Sequence, residues 1–519
     1  MSATTRVGAL IKSAIAAWHA RLGSKDAAKP FTTFETKPED RISFPKKVAY
    51  GMGAFVNNLL AAAIGGMVIV LNLGLGMNPA LVGLLGAIPR ISDALTDPLM
   101  GYISDNTTSR WGRRRPYILA GAISSGLIYA ALWQLPAGRS ENFYFWFFLI
   151  GSIIFYLAYT VFATPWVALG YELTPDYHER TRLMGVQNFI GQLAYLVSPW
   201  FLWIMNRKEW FATPVEGASG LAIAIAIVVM AIGILPAIFL RERFVQPNAS
   251  PVDGAAPRES GWEGLKRNSA LFFKGFATTL RSRPFMKLCI ATFLVFNGFI
   301  MISSFQFYVI IYYVFGGNQE LGAKYAGYSG TLGAASTFAV ISFITWLSTH
   351  IGKRRAFYVS TGVSIVGYGL KWFCYDPQHP WLLLVPAPLT AFGLGGLFTL
   401  MGSMIADVVD VDELETYQRR EGMFGSIFWW VVKLGMAAAL AVGGYLLNAT
   451  GFDVARAGEQ GASTITLLRL FDAGIPAVAS AIAMWIFTSY HITEERAHEV
   501  RAELERRRGA AAPAAPVVA

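Results

Sequence analysis

"LAIAIAIVVMAIGILPAIFL", residues 221–240, carries no charged side chain. It is long enough to cross the roughly 30 Å hydrocarbon core of a bilayer as an α-helix. Similar runs recur along all 519 residues, of which 54% are hydrophobic and 15% are charged. A soluble domain carries about a quarter charged residues. The runs do not alternate apolar and polar residues as the strands of a transmembrane barrel do. The sequence therefore predicts an all-α polytopic membrane protein.

Twelve apolar segments are each long enough for a transmembrane helix, and we predict one helix in each. A linker rich in Pro, Gly, Ser and charge, "RERFVQPNASPVDGAAPRESGWEGLKRNS", separates the sixth segment from the seventh. The segments lie at about 48–73, 79–104, 116–135, 143–171, 184–205, 220–240, 285–315, 325–348, 356–375, 381–406, 422–448 and 466–490. The chain is therefore predicted to consist of two six-helix halves.

The predicted organisation has five parts, of which the two bundles hold the transmembrane helices. The first part contains "TRVGALIKSAIAAWHARL", which is either an amphipathic helix on the membrane surface or a weakly ordered tail. The last part contains a charged helix followed by an Ala- and Pro-rich tail that we predict to be disordered. The parts are the cytoplasmic N-terminal segment 1–47, the N-terminal bundle 48–240, the cytoplasmic linker 241–284, the C-terminal bundle 285–490 and the cytoplasmic C-terminal segment 491–519.

Basic residues are concentrated in alternate loops. Residues 110–115 and 353–355 contain most of the arginine and lysine of their loops, whereas the loops on the opposite side have almost none. Cytoplasmic loops carry this excess, so both termini are predicted to face the cytoplasm, with the protein in the inner (plasma) membrane. The net charge of +10 follows from these loops and tails and does not indicate a nucleic-acid partner.

The two halves share a short motif. "WGRRRPY" (111–117) resembles "IGKRRAF" (351–357), 240 residues further on. Many secondary transporters consist of such repeats, with the substrate site between the halves near the middle of the membrane. At this offset Asp93 corresponds to Gly333 and Asp97 to Thr337, so the two carboxylates belong to the N-terminal half alone.

These two carboxylates are the most informative polar residues of the chain. Asp93 and Asp97 lie four residues apart in the second segment, on one face of the helix. An intramembrane Asp costs about 2.5–3.5 kcal/mol, and two neighbouring carboxylates cannot both stay ionised without a partner. A proton, a bound cation or a basic side chain, either Arg90 or Lys433, could be that partner, and Thr96 could add an oxygen ligand. We interpret the pair as a coupling-ion site. The alternative is an Asp–Arg or Asp–Lys bridge between helices.

The stretch around the pair also resembles a known family. "DALTDPLMGYISDNTTSRWGRRRPYI" (93–118) is similar to the signature of the glycoside–pentoside–hexuronide:cation symporters, melibiose-permease-like members of the major facilitator superfamily. The resemblance extends to "AYGMGAFVNN", "TVFATPWVAL" and "ADVVDVDELETYQRREGMFGSIFWWVVKLG", and runs from about residue 48 to 450. It implies a fold of two six-helix pseudo-repeats that couples sugar uptake to Na⁺, Li⁺ or H⁺ by alternating access, without a cofactor.

The resemblance carries the family's cation site onto this chain. Its carboxylates match Asp93 and Asp97, and its threonine ligand in the fourth helix matches Thr160. Thr96 stands at the position where the family pattern has an amide. The family's lysine in the eleventh helix matches Lys433, which is therefore expected to take part in coupling together with Arg90.

The sugar half of the family's site matches less well. Two sugar-binding aspartates of the family fall at Asn58 and Ala163, and its arginine falls at Gln187. Its tryptophan falls at Val167, beside Trp166. The remaining candidates are side chains that can hydrogen-bond hydroxyl groups or stack on a ring. They are Asn57, Asn58, Gln187, Asn188, Trp166 and Trp430.

Charged residues at the predicted cytoplasmic ends of the helices could act as gates. Salt bridges that form in one state and break in the other would bias alternating access. The alternative is that the arginines only obey the positive-inside rule. The candidates are Asp105, Arg110, Arg113, Asp407, Asp410, Glu413 and Arg420.

The sequence thus predicts a symporter of a sugar or glycoside, coupled to Na⁺ or H⁺ and acting as a monomer in the bilayer. A symporter of a lysolipid or another non-sugar solute is the first alternative, because the related lysolipid symporters share the aspartate pair and the lysine and lack the sugar carboxylates. A membrane-embedded enzyme or sensor is a remote one. The chain has no H-E-x-x-H motif, nucleophile elbow or P-loop, so we predict no enzymatic activity.

Overall fold

The computed structural model describes residues 38–105, 107, 109–174, 177–242, 279–417, 421–456 and 458–511. Within these ranges the chain is helical and contains no strand, as predicted. The segment predicted as a surface helix, most of the linker and the end of the C-terminal tail lie outside the described residues.

The N-terminal half has six long helices, and short helical segments continue three of them. The extensions are Ile69–Leu73 after the first helix, Ser198–Trp200 and Phe201–Met205 after the fifth, and Leu235–Phe239 after the sixth. The long helices are α1 (Phe44–Met67), α2 (Pro79–Asp105), α3 (Arg115–Leu132), α4 (Glu141–Glu172), α5 (Tyr177–Val197) and α6 (Pro214–Gly233).

The C-terminal half repeats this pattern and adds a charged helix. A π-helical segment, Val309–Val314, continues the first long helix of this half, and a 3₁₀ turn, Pro380–Leu384, precedes the fourth. The helices are α7 (Arg283–Tyr308), α8 (Gln319–Ile351), α9 (Lys353–Cys374), α10 (Pro386–Thr416), α11 (Glu421–Ala449), α12 (Ala462–Thr488) and the charged α13 (Glu494–Ala511).

Each of the twelve predicted segments falls on one of the helices α1–α12. In the described part of the chain, eight helical stretches are long and apolar enough to cross a membrane. The protein is therefore a multi-pass membrane protein, and the number of twelve crossings stays a prediction. Helix α8 begins 240 residues after α2, at the offset that the two basic motifs share.

Among the described helices, α2 and α11 form the most extensive contact between the two halves. A Cβ atom on Gly444 would lie 2.4 Å from the carbonyl oxygen of Pro79 and 2.9 Å from the Cα atom of Gly83. Only glycine fits at that distance, so the pair of glycines allows the two backbones to touch. The contact fixes α2 against α11 and places Asp93 and Asp97 opposite α11.

The halves are joined at one end of the molecule. We call the end where α2 leads into α3 and α8 into α9 the basic end, and the opposite end the far end. Tyr308 donates a hydrogen bond to Asn72 Oδ1 (2.8 Å), and Trp200 Nε1 donates one to Thr331 Oγ1 (2.8 Å). In the part of the chain that is described, hydrogen bonds and ring contacts between the halves run from mid-membrane to the far end. This conformation is closed at the far end.

Candidate functional site

The two aspartates of α2 share one ammonium group. Lys433 Nζ of α11 lies 3.0 Å from Asp93 Oδ2 and also donates to Asp97 Oδ2. The four-residue spacing puts both carboxylates on the face of α2 that packs against α11. Two carboxylates and one ammonium leave a net charge of −1 when all three groups are ionised. The Asp–Lys bridge between helices, which was the alternative to the coupling-ion site, is therefore present in this conformation.

Threonine hydroxyl groups surround the carboxylate oxygens that Lys433 does not contact. Thr160 Oγ1 of α4 lies 3.0 Å from Asp93 Oδ1 and 3.4 Å from Asp97 Oδ1. Thr164 Oγ1, one helical turn further, donates to Asp97 Oδ1 at 3.2 Å. Thr96 Oγ1 lies 3.4 Å from Thr160 Oγ1 and donates to the carbonyl oxygen of Asp93. Helices α2 and α4 thus bring together a set of oxygen atoms around one negative charge.

The centre is buried on one side and accessible on the other. The side chain of Asp93 is 2% exposed, whereas those of Asp97 and Lys433 are 35% and 30% exposed. Asp93 forms the interior of the centre, and Asp97 with Lys433 forms its mouth.

Arg90, the second basic side chain predicted beside the pair, has a different neighbour. Its guanidinium carbon lies 5.1 Å from the centre of the Tyr156 ring, at the distance of a cation–π contact. Across the described ranges, no hydrogen bond or ion pair joins Arg90 to Asp93 or Asp97. Lys433 is therefore the base that contacts the carboxylates, and a coupling role for Arg90 stays a prediction.

The predicted amide residues of α1 belong to a hydrogen-bonded chain beside this centre. Tyr159 donates to Asn57 Oδ1 (2.7 Å), Asn57 Nδ2 donates to Asn58 Oδ1 (3.3 Å), and Asn58 Nδ2 donates to the carbonyl oxygen of Gly191 (3.0 Å). This series of hydrogen bonds links α4, α1 and α5. Tyr159 directly precedes Thr160, so one turn of α4 contacts both the carboxylate centre and the amides.

Trp166, a candidate for stacking on a substrate ring, is buried in the core in this conformation. Its side chain is buried, its Nε1 atom donates to the carbonyl oxygen of Tyr50, and its ring stacks on that of Tyr50. A Cβ atom on Gly53 would lie 2.2 Å from Trp166 Nε1, so α1 packs directly on the indole. Trp166 is a core residue of the N-terminal half because the helix face that it occupies turns toward α1.

The other predicted substrate residues lie on α5 and α11. Gln187 is half-buried, Asn188 is exposed, and Trp430 is half-buried. Trp429, which was not among the predicted substrate residues, is 56% exposed and stacks on Phe398 of α10. Trp429 precedes Lys433 by four residues, and this spacing was the signal that could have identified it. The same spacing, from Thr160 to Thr164, could have identified the additional hydroxyl on α4.

The described ion pairs at the basic end lie within each half, not between the halves. Arg113 pairs with Glu172 (2.7 Å), and Arg114 pairs with Asp105 (2.7 Å) and with Glu172 (2.8 Å). Glu242 accepts hydrogen bonds from the backbone N–H groups of Arg113 and Arg114. In this conformation the arginines therefore tie α2, α3 and α4 to the end of α6, and a gating role stays a prediction.

The remaining described gating candidates also lie at the basic end. Lys353 pairs with Asp407 (2.7 Å) inside the C-terminal half. Arg110 is exposed in the loop between α2 and α3, and Asp410 and Glu413 occupy the last turns of α10. Arg420 lies outside the described residues.

Comparisons with known proteins place the chain among membrane transporters. The sequence profile of MFS/sugar transport proteins matches residues 49–494. The chain is 27% identical to an uncharacterised symporter of Synechocystis sp., over 90% of this chain and 98% of the relative. It is 25% identical to the isoprimeverose transporter of Lactiplantibacillus pentosus, over 86% and 89% of the two chains. It is 23% identical to the sodium-dependent lysophosphatidylcholine symporter 1-B of Danio rerio, over 91% of each chain.

Solved transporter structures share the fold. The nucleoside transporter NupG (D323A mutant) matches 86% of this chain and 100% of its own, with a TM-score of 0.61 and 11% identity. A D-xylose–proton symporter matches 86% of this chain and 97% of its own, with a TM-score of 0.58 and 13% identity. At these identities the likeness shows the fold alone.

Proposed function

Because this chain belongs to the family of MFS/sugar transport proteins, we propose that it is a cation-coupled symporter of a sugar or glycoside. Family membership makes it a membrane transporter. The observation that carries the proposal is the centre of Asp93, Asp97, Thr160 and Lys433, which lies between the halves and has a net charge of −1 when its three charged groups are ionised. Na⁺, Li⁺ or H⁺ would be the cargo ion, and no cofactor is required.

In the proposed cycle, the cation and the Lys433 ammonium compete for the same carboxylates. A small cation that enters between Asp93 and Asp97 would bind carboxylate and hydroxyl oxygens and displace Lys433. The bridge between α2 and α11 would then weaken, because one monovalent cation cancels half of the charge of the carboxylate pair and occupies oxygen atoms that held the ammonium. A ligand that binds one conformation better shifts the population toward that conformation. The cation thereby prepares the transporter for substrate.

Helix α4 connects the ion to the substrate in this proposal. Thr160 contacts both carboxylates, and the adjacent Tyr159 donates to Asn57. A cation that draws Thr160 inward would therefore reorient Tyr159 and free the amides of Asn57 and Asn58. Together with Gln187 and Asn188, these amides can hydrogen-bond the hydroxyl groups of a sugar.

The placement in the membrane is part of the proposal. With both termini in the cytoplasm, the basic end faces the cytoplasm and the closed far end faces outward. The described conformation is then open to the inside, and Asp97 at the mouth of the centre is in position to release the ion. The proposed location is the inner membrane, and the proposed active form is a monomer.

Transport of a lysolipid is the second candidate. A relative named for lysophosphatidylcholine transport matches nearly the whole chain. Trp429, stacked on Phe398 one turn from Lys433, exposes apolar surface beside the polar centre. Such a surface can contact either the apolar face of a sugar ring or an acyl chain.

Uptake by the purified chain in proteoliposomes tests the proposal. A panel of pentosides, hexosides, glucuronides and a lysophosphatidylcholine is offered with an inward Na⁺ gradient, an inward H⁺ gradient or neither. We expect one class of glycoside to accumulate only with an ion gradient. Accumulation of the lysophosphatidylcholine alone would replace the sugar assignment. Uptake that is equal with a Na⁺ gradient, with an H⁺ gradient and with neither would contradict cation coupling.

Replacing Thr164 with valine is expected to weaken the response to Na⁺. The substitution keeps the size of the side chain and removes the hydroxyl that contacts Asp97. A hydrogen bond to a charged group contributes about 1.5–3 kcal/mol, so the Na⁺ concentration for half-maximal uptake should rise about tenfold or more. Thr164→Ser should restore the parent value. Ser152→Ala is the matched control, since it removes a buried α4 hydroxyl that has no hydrogen-bond partner among the described residues. An unchanged Na⁺ dependence of Thr164→Val would exclude Thr164 as a ligand.

A further inference from the structure

A second pair of buried charges lies inside the C-terminal half. Lys371 Nζ of α9 lies 2.9 Å and 3.1 Å from the two carboxylate oxygens of Asp472 on α12. The side chains are 4% and 2% exposed. Lys371 also donates to Gln306 Oε1 on α7 at 3.1 Å, so the cluster joins three helices. Both charged residues stand in apolar runs, "GLKWF" and "RLFDAG", which were the available sequence signals.

The charge balance of this cluster differs from that of the centre on α2. One carboxylate and one ammonium give a net charge of zero, so the cluster has no spare charge for a cargo ion. A buried ion pair is also weak evidence for stability, because the cost of removing two charges from water offsets their attraction. An ion pair of this kind can instead fix the geometry of the elements that carry it. The position of the cluster identifies the element that this ion pair fixes.

The cluster lies directly beside the far-end closure. Gln306 precedes Tyr308 by two residues, and Tyr308 donates the buried hydrogen bond to Asn72 of the other half. After Tyr308 the α-helix changes into the π-helical segment Val309–Val314. π-Helical turns within α-helices are rare and often occur at functional sites. The cluster therefore holds α7 where the closure begins.

The same two helices also hold α7 beyond Tyr308. The guanidinium of Arg469 on α12 lies 4.1 Å from the centre of the Tyr313 ring and 4.3 Å from that of Trp372. It also donates to the carbonyl oxygen of Trp372. Helix α9 thus contacts α7 before Tyr308 through Gln306, and α12 contacts the π-helical segment after Tyr308 through Tyr313.

We propose that Lys371, Asp472 and Gln306 are the anchor of the far-end gate. They fix α7 to its own half, so that Tyr308 points at Asn72 and the far end closes. Loss of the anchor frees α7 and shifts the population toward the conformation that is open at the far end. The proposal rests on the proposed function only in assuming that the chain alternates between two conformations.

Distances between spin labels at the far end test this proposal. Labels are placed at Asn142→Cys on α4 and Ser463→Cys on α12, both exposed, in a full-length chain with Cys289→Ala and Cys374→Ala. Double electron–electron resonance then measures the population with a long far-end distance. For Asp472→Asn and Gln306→Leu we expect this population to rise at least about fivefold, the lower end of typical conformational couplings.

Gln306→Leu is the decisive variant. It leaves the Lys371–Asp472 pair intact and creates no unpaired charge, so a merely structural ion pair would not respond to it. Tyr308→Phe, which removes the gate hydrogen bond itself, should shift the population in the same direction. Ser480→Ala, which removes a buried α12 hydroxyl with no hydrogen-bond partner in the described ranges, should leave it unchanged.

The outcomes separate this proposal from the proposed function. An unchanged distance distribution in folded Gln306→Leu would overturn the anchor, whatever the chain transports. A shift in Gln306→Leu and Asp472→Asn would support it, even if no sugar is taken up in proteoliposomes. A single far-end distance in the parent chain and in every variant, with and without Na⁺, would overturn both the anchor and alternating access.

Discussion

Ion-driven uptake is expected to fall by at least about 100-fold when Asp93 or Asp97 is replaced with asparagine. Either change removes one negative charge with almost no change in shape. Lys433 then balances the remaining carboxylate, so the centre has a net charge of zero and no longer attracts a cation. Asp93 should be the more sensitive position because it is almost fully buried, whereas the side chain of Asp97 is partly exposed.

Proteoliposomes distinguish a lost ion site from a misfolded protein. Uptake is measured with and without an inward Na⁺ gradient, and exchange of internal for external substrate is measured at equal Na⁺ on both sides. Asp376→Asn, at a partly exposed carboxylate that pairs with His379 in a loop, is the control for charge removal and should keep parent uptake. Parent-level, Na⁺-dependent uptake by Asp93→Asn or Asp97→Asn would contradict the coupling-ion site.

Replacing Lys433 with methionine is expected to separate ion binding from net transport. Without the ammonium, two carboxylates face the cation with no competitor, so the apparent affinity for Na⁺ should rise about tenfold or more. The empty transporter, however, must return with two unbalanced charges in a low-dielectric interior, which is costly. Net uptake should therefore fall at least about tenfold, whereas exchange, in which the ion stays bound, should persist.

The readouts for Lys433→Met are the Na⁺ concentration that half-saturates substrate binding and the ratio of exchange to net uptake. Lys287→Met is a suitable control, because Lys287 donates to the carbonyl oxygen of Ser489 near the basic end and contacts no carboxylate among the described residues. If Lys433→Met had the parent Na⁺ affinity and the parent ratio, competition between the lysine and the cation would be wrong.

The predicted fold class is confirmed because it depends on a local property of the chain. A segment in a bilayer has to satisfy its backbone hydrogen bonds internally, so a run of about twenty apolar residues almost dictates a helix. The run 221–240 is such a case, and it lies on α6 and the short segment that follows. The two basic motifs, 240 residues apart, likewise predicted the offset between α2 and α8.

Part of the candidate site was also readable from the sequence. The four-residue spacing of Asp93 and Asp97 required them to share a helix face, and Lys433 was one of two bases considered as their partner. Periodicity places residues on a face of a helix, but it does not say what lies opposite that face. Trp166 shows this limit, because its face turns toward Gly53 on α1 and the indole is buried in the core.

By itself, the sequence determined that the chain is a bundle of membrane helices and that one of them carries an acidic pair requiring a partner. Only the tertiary structure decided that Lys433 and not Arg90 contacts that pair, that Thr164 belongs to the centre, and that Lys371 meets Asp472. The physical reason is the range of the interactions. Helix formation in lipid depends on neighbouring residues, whereas each of these contacts joins helices far apart in the chain and depends on how those helices rotate and cross.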